Sequence, residues 1–98
     1  MFQLKEPWDE PVNAKALEIE LDRELHPSRY LYKFKDQIRA IAKNESNDDV
    51  IFEIREMGFV LVHLTWSNNE PNESYPKYKM LAKESDVQAV IDNDNAFY

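Results

Sequence analysis

The 98-residue chain has no cysteine and a single glycine, Gly58. Without thiols there is no disulfide, no thiolate metal site and no cysteine nucleophile. A secreted domain this small often depends on disulfides, so the expectation is the interior of a cell. One glycine excludes the Gly-rich loops that cradle phosphates, and none of serines 28, 46, 67, 74 and 85 sits in a Gly-x-Ser-x-Gly elbow. Long apolar runs are missing as well: nothing approaches the roughly 18 residues of a membrane span. The opening, MFQLKEPWDEP, has neither the basic start nor the apolar run of a secretory signal. These absences predict a cytoplasmic protein with no membrane segment.

Positive charge is also scarce. Twelve Lys and Arg face nineteen acids, a net charge of −7. Nucleic-acid binding is driven by cations that displace counterions from phosphates, so DNA and RNA are poor partners for this surface. A basic protein is a better one. The same charge would also keep a small protein soluble.

Apolar residues, at 43% of the chain, suffice for one core, hence a single domain over residues 1–98. Its centre is DDVIFEIREMGFVLVHLTW, Asp48 to Trp66, two β-rich runs joined across Gly58. Val50, Phe52 and Ile54 alternate with Ile51, Glu53 and Arg55. After a turn at Glu56-Met57-Gly58, Val60, Val62, Leu64 and Trp66 alternate with Phe59, Leu61, His63 and Thr65. Both faces of the second run are partly apolar, as in a strand covered on both sides.

Upstream, residues 1–8 form an arm carrying Phe2, Leu4 and Trp8. A helix follows, with Asp9 or Glu10 near its N-cap and Pro11 in its first turn. Ala14, Leu17, Leu21 and Leu25 make its apolar face, with Lys15, Glu18, Asp22 and Glu24 mostly opposite, and it should stop near Leu25 ahead of Pro27. Residues 26–34 read as an aromatic loop over one edge of the sheet. Residues 35–43 fit either a helix or a strand, and the polar turn NESNDD before Val50 favours the strand, with Ile38, Ala40 and Ala42 on one face. Downstream of a polar loop over residues 67–76, Lys77 to Lys83 reads as an edge strand guarded by lysines. Ser85 caps a short final helix striped by Val87, Val90 and Ile91, beyond which Phe97 and Tyr98 either dock or fray. The expected fold is α+β: two layers, an antiparallel sheet of three to four strands, an N-terminal helix and a short C-terminal one.

Three segments, His26-Pro27, Asp48-Asp49-Val50-Ile51-Phe52-Glu53 and Val62-His63-Leu64-Thr65-Trp66-Ser67, resemble a family of small bacterial proteins of uncharacterised function. That family carries His-Pro-Leu, Asp-Asp-Val-Leu-Phe and Val-His-Leu-Thr-Trp. The resemblance spans most of residues 14–92, and its most specific piece is the His-Leu-Thr-Trp run. After Pro27 this chain departs from the pattern, placing Ser28-Arg29-Tyr30 before Leu31. The resemblance implies the strand reading of 37–43. It implies no activity.

His63 is the best single candidate for chemistry, since a mid-strand histidine can serve as base, ligand or hydrogen-bond anchor. The Gly58 turn should bring Glu53 within one diagonal step of it, with Arg39 and Arg55 as other neighbours. A pocket on that face would be lined by Phe59, Leu61 and Ile41. His26, at the end of the first helix, suits a structural role there. Glu45, Asp48 and Asp49 crowd one turn, and Asp92 and Asp94 another. Neither has the glycine of a calcium loop, so no metal and no cofactor is expected. Trp66, Trp8 and the Tyr30–Phe34 loop, including Tyr32, could gather as an aromatic contact surface.

The reading these features favour is a non-enzymatic, inhibitor- or immunity-like module that meets a basic protein through Asp48, Asp49, Glu53, His63, Trp66 and Tyr32. The alternative is a small ligand-binding or hydrolase domain built on the sheet face around His63. As to assembly, the lysine-guarded edge disfavours open-ended strand pairing and leaves a monomer or a closed homodimer.

Overall fold

A computed structural model of the chain describes residues 3–98. The order is β1 (Trp8–Asp9), α1 (Ala14–Glu24), a 3-10 helix (Tyr30–Gln37), β2 (Ile38–Asn44), β3 (Asp49–Ile54), β4 (Gly58–His63), β5 (Lys77–Leu81) and α2 (Glu84–Ala96). The strands form one antiparallel sheet in chain order, β1-β2-β3-β4-β5. The fold is α+β. Among the described residues no helix is long and apolar enough to cross a membrane.

The β3–β4 hairpin is built as its alternation requires. Val50, Phe52, Ile54, Val60 and Val62 point to one face, where Leu17, Leu21 and Leu25 of α1 cover them. Ile51 and Phe59 point to the other, beneath Val87 and Ile91 of α2. Glu56 and Gly58 both have positive φ, 62° and 136°. Glycine is needed at the second position twice over. A Cβ there would sit 2.9 Å from the Leu81 carbonyl oxygen, and the backbone conformation suits no L side chain.

Because the two helices take opposite faces, the domain is a helix–sheet–helix stack and not the expected two layers. The sheet has five strands where three to four were expected. The extra one, β1, is two residues long and lies between Pro7 and Pro11, where Trp8 read as the end of an arm and Asp9 as the start of the first helix. It pairs Trp8 with Asn44 and Asp9 with Lys43. Trp8 is buried in the second core, and its indole Nε1 donates to Asp94 of α2 at 2.8 Å. Leu4 packs against the same cluster; Phe2 lies outside the described residues.

Other boundaries shift for local reasons. The first helix starts later than expected because Asn13 is its N-cap, its Oδ1 accepting the Ala16 N–H at 3.1 Å. It stops where expected, with Leu25 extended. The aromatic segment is not all loop: Tyr30–Gln37 winds into a 3-10 helix that sinks Leu31 into the first core, with Tyr32 and Phe34 packed on its edge. Residues from Ile38 onward are a strand, but the expected alternation breaks at Ile41. Ala40 opposes Phe52 and Ala42 opposes Ile51, so Ile41 is the extra residue of a bulge. Ala42 therefore enters the second core, not the first. The Ala40 N–H is taken by Glu18 of α1 at 3.0 Å. The last strand is the lysine-bearing edge, and the final helix begins two residues earlier than its Ser85 cap implied, with Lys83 as the N-cap, and runs to Ala96. Phe97 and Tyr98 are exposed.

Candidate functional site

Where β4 ends, the chain leaves the sheet and its backbone donors lose their strand partner. The Leu64 N–H still reaches the Asp48 carbonyl at 3.1 Å. The next two donors are met by one side chain, Glu24, from the last turn of α1. Its Oε1 accepts the Thr65 N–H and the Thr65 hydroxyl, both at 2.9 Å, and its Oε2 accepts the Trp66 N–H at 2.9 Å. Trp66 sits at φ 53° and is 47% exposed. It lies beyond the strand it was expected to end.

Glu24 is only 6% exposed, although its sequence position suggested the solvent side of the helix. It lies one residue before Leu25, as Glu20 lies before Leu21, on the border of the apolar stripe. The two acids are four residues apart and therefore neighbours on the helix. Arg23 sits beside Glu20, donating through Nε at 3.0 Å and through Nη2, which also reaches the Ser67 carbonyl at 2.5 Å. Burial pushes the Glu24 carboxyl above its ordinary range, and its hydrogen bond with Glu20 adds to the push against the Thr65 and Trp66 donors. Burial is the largest influence on Glu20 too, but its hydrogen bonds to Arg23 and Glu24 and the charge of Arg23 together outweigh it and hold the group below the usual range. Glu20 is thus the more acidic partner, and Glu24 keeps its proton longer.

Beyond this knot the segment 67–76 wraps a pocket of about 220 Å³, lined by Glu24, Thr65, Ser67, Asn69, Glu70, Pro71, Asn72 and Tyr75. Side chains fold the segment on itself. Ser67 Oγ accepts the Asn69 N–H at 3.0 Å, and Asn72 Oδ1 accepts the N–H groups of Ser74 and Tyr75 at 2.8 and 3.0 Å. A parallel bridge between Leu25 and Asn72 ties it to the end of α1. At its base, Arg29 donates to the Pro76 carbonyl at 2.8 Å while stacking 4.7 Å above the Tyr78 ring. The pocket wall carries two carboxylates and no base.

The residues singled out from sequence do not converge. His63 is at the end of β4, exposed, and its partner is Asp49, Nδ1 to Oδ1 at 2.7 Å. Glu53 is not that partner: it lies opposite Phe59 and Arg39, nearer the Gly58 end. The expected pocket of Phe59, Leu61 and Ile41 does not form, because these residues pack into the second core beneath α2. His26 Nδ1 accepts the Ser28 N–H at 3.1 Å. Tyr32 packs on the first core, with the Lys35 Nζ 3.2 Å from its hydroxyl. Trp8 belongs to the opposite core, so the aromatics do not gather around Trp66. Among the described residues no group of three or more histidines and acids could hold a metal ion.

Glu20, Glu24 and the 67–75 wall were missed. The available signal was the pair of acids spaced by four immediately ahead of Leu21 and Leu25, which is a poor arrangement for a solvent face and a natural one for a buried clasp. Comparison of the chain with models of known protein families, with curated proteins and with solved structures finds no match.

Proposed function

We propose that the protein is a non-enzymatic binding module, an inhibitor- or immunity-like domain of the cytoplasm that engages a basic protein as a monomer or closed homodimer. The observation that carries this reading is the corner held by Glu24. Trp66 is exposed on a backbone clamped through two N–H groups and the Thr65 hydroxyl, beside a pocket walled by carboxylates, amides and the half-exposed Tyr75. A pre-organised aromatic loses little entropy on binding and is the usual anchor of an interface. The net charge of −7 supports a basic partner. On this reading the His63-Leu64-Thr65-Trp66 run, which resembles that of the small bacterial family, has a structural reason: it supplies the donors that Glu24 gathers.

A hydrolytic reading has one observation in its favour, the Asp49–His63 pair. Asp49 orients the ring, but the hydrogen bond described for His63 is the one to Asp49, and the nearby Thr65 hydroxyl is taken by Glu24. That leaves a base without a nucleophile. The binding reading is tested by isolating a salt-sensitive partner and titrating it, purified, against Trp66→Ala and Asp49→Lys. Loss of affinity in Trp66→Ala supports the reading, and unchanged affinity in both variants overturns it.

A further inference from the structure

We propose that the pocket between the C-terminal turn of α1 and residues 67–76 receives an arginine side chain of the basic partner. The inference rests on the binding-module reading for its physiological source, and on the pocket itself for its chemistry. Glu70 contributes a carboxylate, Glu24 adds a second whose oxygens already hold Thr65 and Trp66 with Arg23 3.9 Å away, and no lysine, arginine or histidine lines the wall. Glu70 forms no ion pair with any described residue. The C-terminal, negative end of the α1 dipole faces the same corner, where Leu25 bridges to Asn72. Tyr75, 51% exposed at the mouth, already carries the Lys77 Nζ 4.9 Å from its ring centroid, so this ring accepts a cation and an incoming guanidinium takes its other face or replaces the lysine.

The chain shows twice how this corner treats a guanidinium. Arg23 places its Nη2 on the Ser67 carbonyl, at the pocket's own wall. Arg29 stacks on Tyr78 and donates to the Pro76 carbonyl, one residue beyond the wall. Between them they use a tyrosine face, carbonyl oxygens and, for Arg23, the Glu20 carboxylate, and the pocket wall holds groups of the same kinds. A planar guanidinium can satisfy ring, carbonyl and carboxylate together, whereas an ammonium is a point charge that meets fewer of them.

The test is titration of ¹⁵N-labelled protein with N-acetyl-arginine amide, alongside the lysine and citrulline analogues, followed by amide chemical shifts. The spectra also report whether each variant is folded. The expected result is saturable shifts confined to residues 65–75 and α1's last turn, reduced by added salt, and absent with citrulline. Affinity should fall about threefold in Glu70→Gln, the size of one partly exposed charge contact, and also in Tyr75→Leu. No saturable shift in the wild-type protein overturns the proposal, as does equal binding of citrulline or indifference to both variants. Lysine binding as tightly as arginine overturns the choice of guanidinium. If a purified partner binds while arginine does not, the pocket assignment fails and the binding reading stands. If arginine binds here and Trp66→Ala and Asp49→Lys leave the partner's affinity unchanged, the reverse holds.

Discussion

Replacing Glu24 by alanine should be among the most damaging single changes to a polar residue in this protein. The substitution strips partners from two backbone N–H groups and one hydroxyl, each now 2.9 Å from a carboxylate oxygen. Hydrogen bonds to a charged acceptor contribute about 1.5–3 kcal/mol apiece. Their simple sum overstates the loss, because the pocket admits water to the orphaned donors and because removing a buried carboxylate relieves its own desolvation cost. We therefore expect about 2–3 kcal/mol. With a urea m-value of about 1–1.5 kcal/mol/M for a domain of this size, the unfolding midpoint falls by roughly 2 M. Glu24→Gln should cost less, since its carbonyl oxygen can still serve Thr65 while its amide must face the Trp66 N–H. The assay is equilibrium urea unfolding followed by circular dichroism, with unchanged m-values as the check for two-state behaviour. An alanine variant within about 0.5 kcal/mol of the parent, the scatter of ordinary surface changes, would refute the claim that Glu24 holds this corner.

Other consequences follow from the same geometry. Gly58→Ala should cost about 2 kcal/mol, from the positive φ and the 2.9 Å approach to the Leu81 carbonyl, read as a drop in thermal midpoint. Phe52→Ala should cost about 3–5 kcal/mol by the same assay, because the ring is fully buried at the centre of the first core. The pH dependence of stability carries opposite signs from the two acids of α1. Glu24's carboxyl is raised, so just above the ordinary 4.5 the folded state holds a proton that the unfolded chain has released, and Glu24 makes stability fall as pH rises through that window. Glu20's is lowered, so its contribution is present above 4.5 and lost as pH falls below it. With Glu20, Arg23 and Glu70 as the charged neighbours, urea midpoints measured across both windows should lose the decline above 4.5 in Glu24→Gln; an unchanged profile would contradict the assignment.

The hairpin was legible from sequence because both its strands obey a period of two and its turn contains the chain's one glycine. The α1 stripe of Ala14, Leu17, Leu21 and Leu25 was legible for the equivalent reason at a helical period. What escaped reading lacked any period. A bulge at Ile41 inserts one residue and reverses the faces after it, which no alternation can announce. Strand β1 is two residues between prolines, and its reason for pairing, the burial of Trp8 against α2, is a contact across most of the chain. The site escaped for the same kind of reason. Glu24 is polar on a helix and reads as solvated, and only the irregular exit of β4 at Thr65 and Trp66 gives it something to hold. His63 looked central because the run to Trp66 was read as one strand. The strand stops at His63, which turns it toward solvent and Asp49, two residues before the backbone that matters.

The most direct measurement is calorimetric titration of a purified basic partner, captured from host lysate at low and moderate salt, against the wild-type protein, Trp66→Ala and Glu70→Lys. The account predicts a stoichiometric complex that weakens with salt, loses about tenfold or more with Trp66→Ala, as expected for an interface anchor, and weakens again on reversing the charge at Glu70. A partner that binds both variants as tightly as the parent would contradict it.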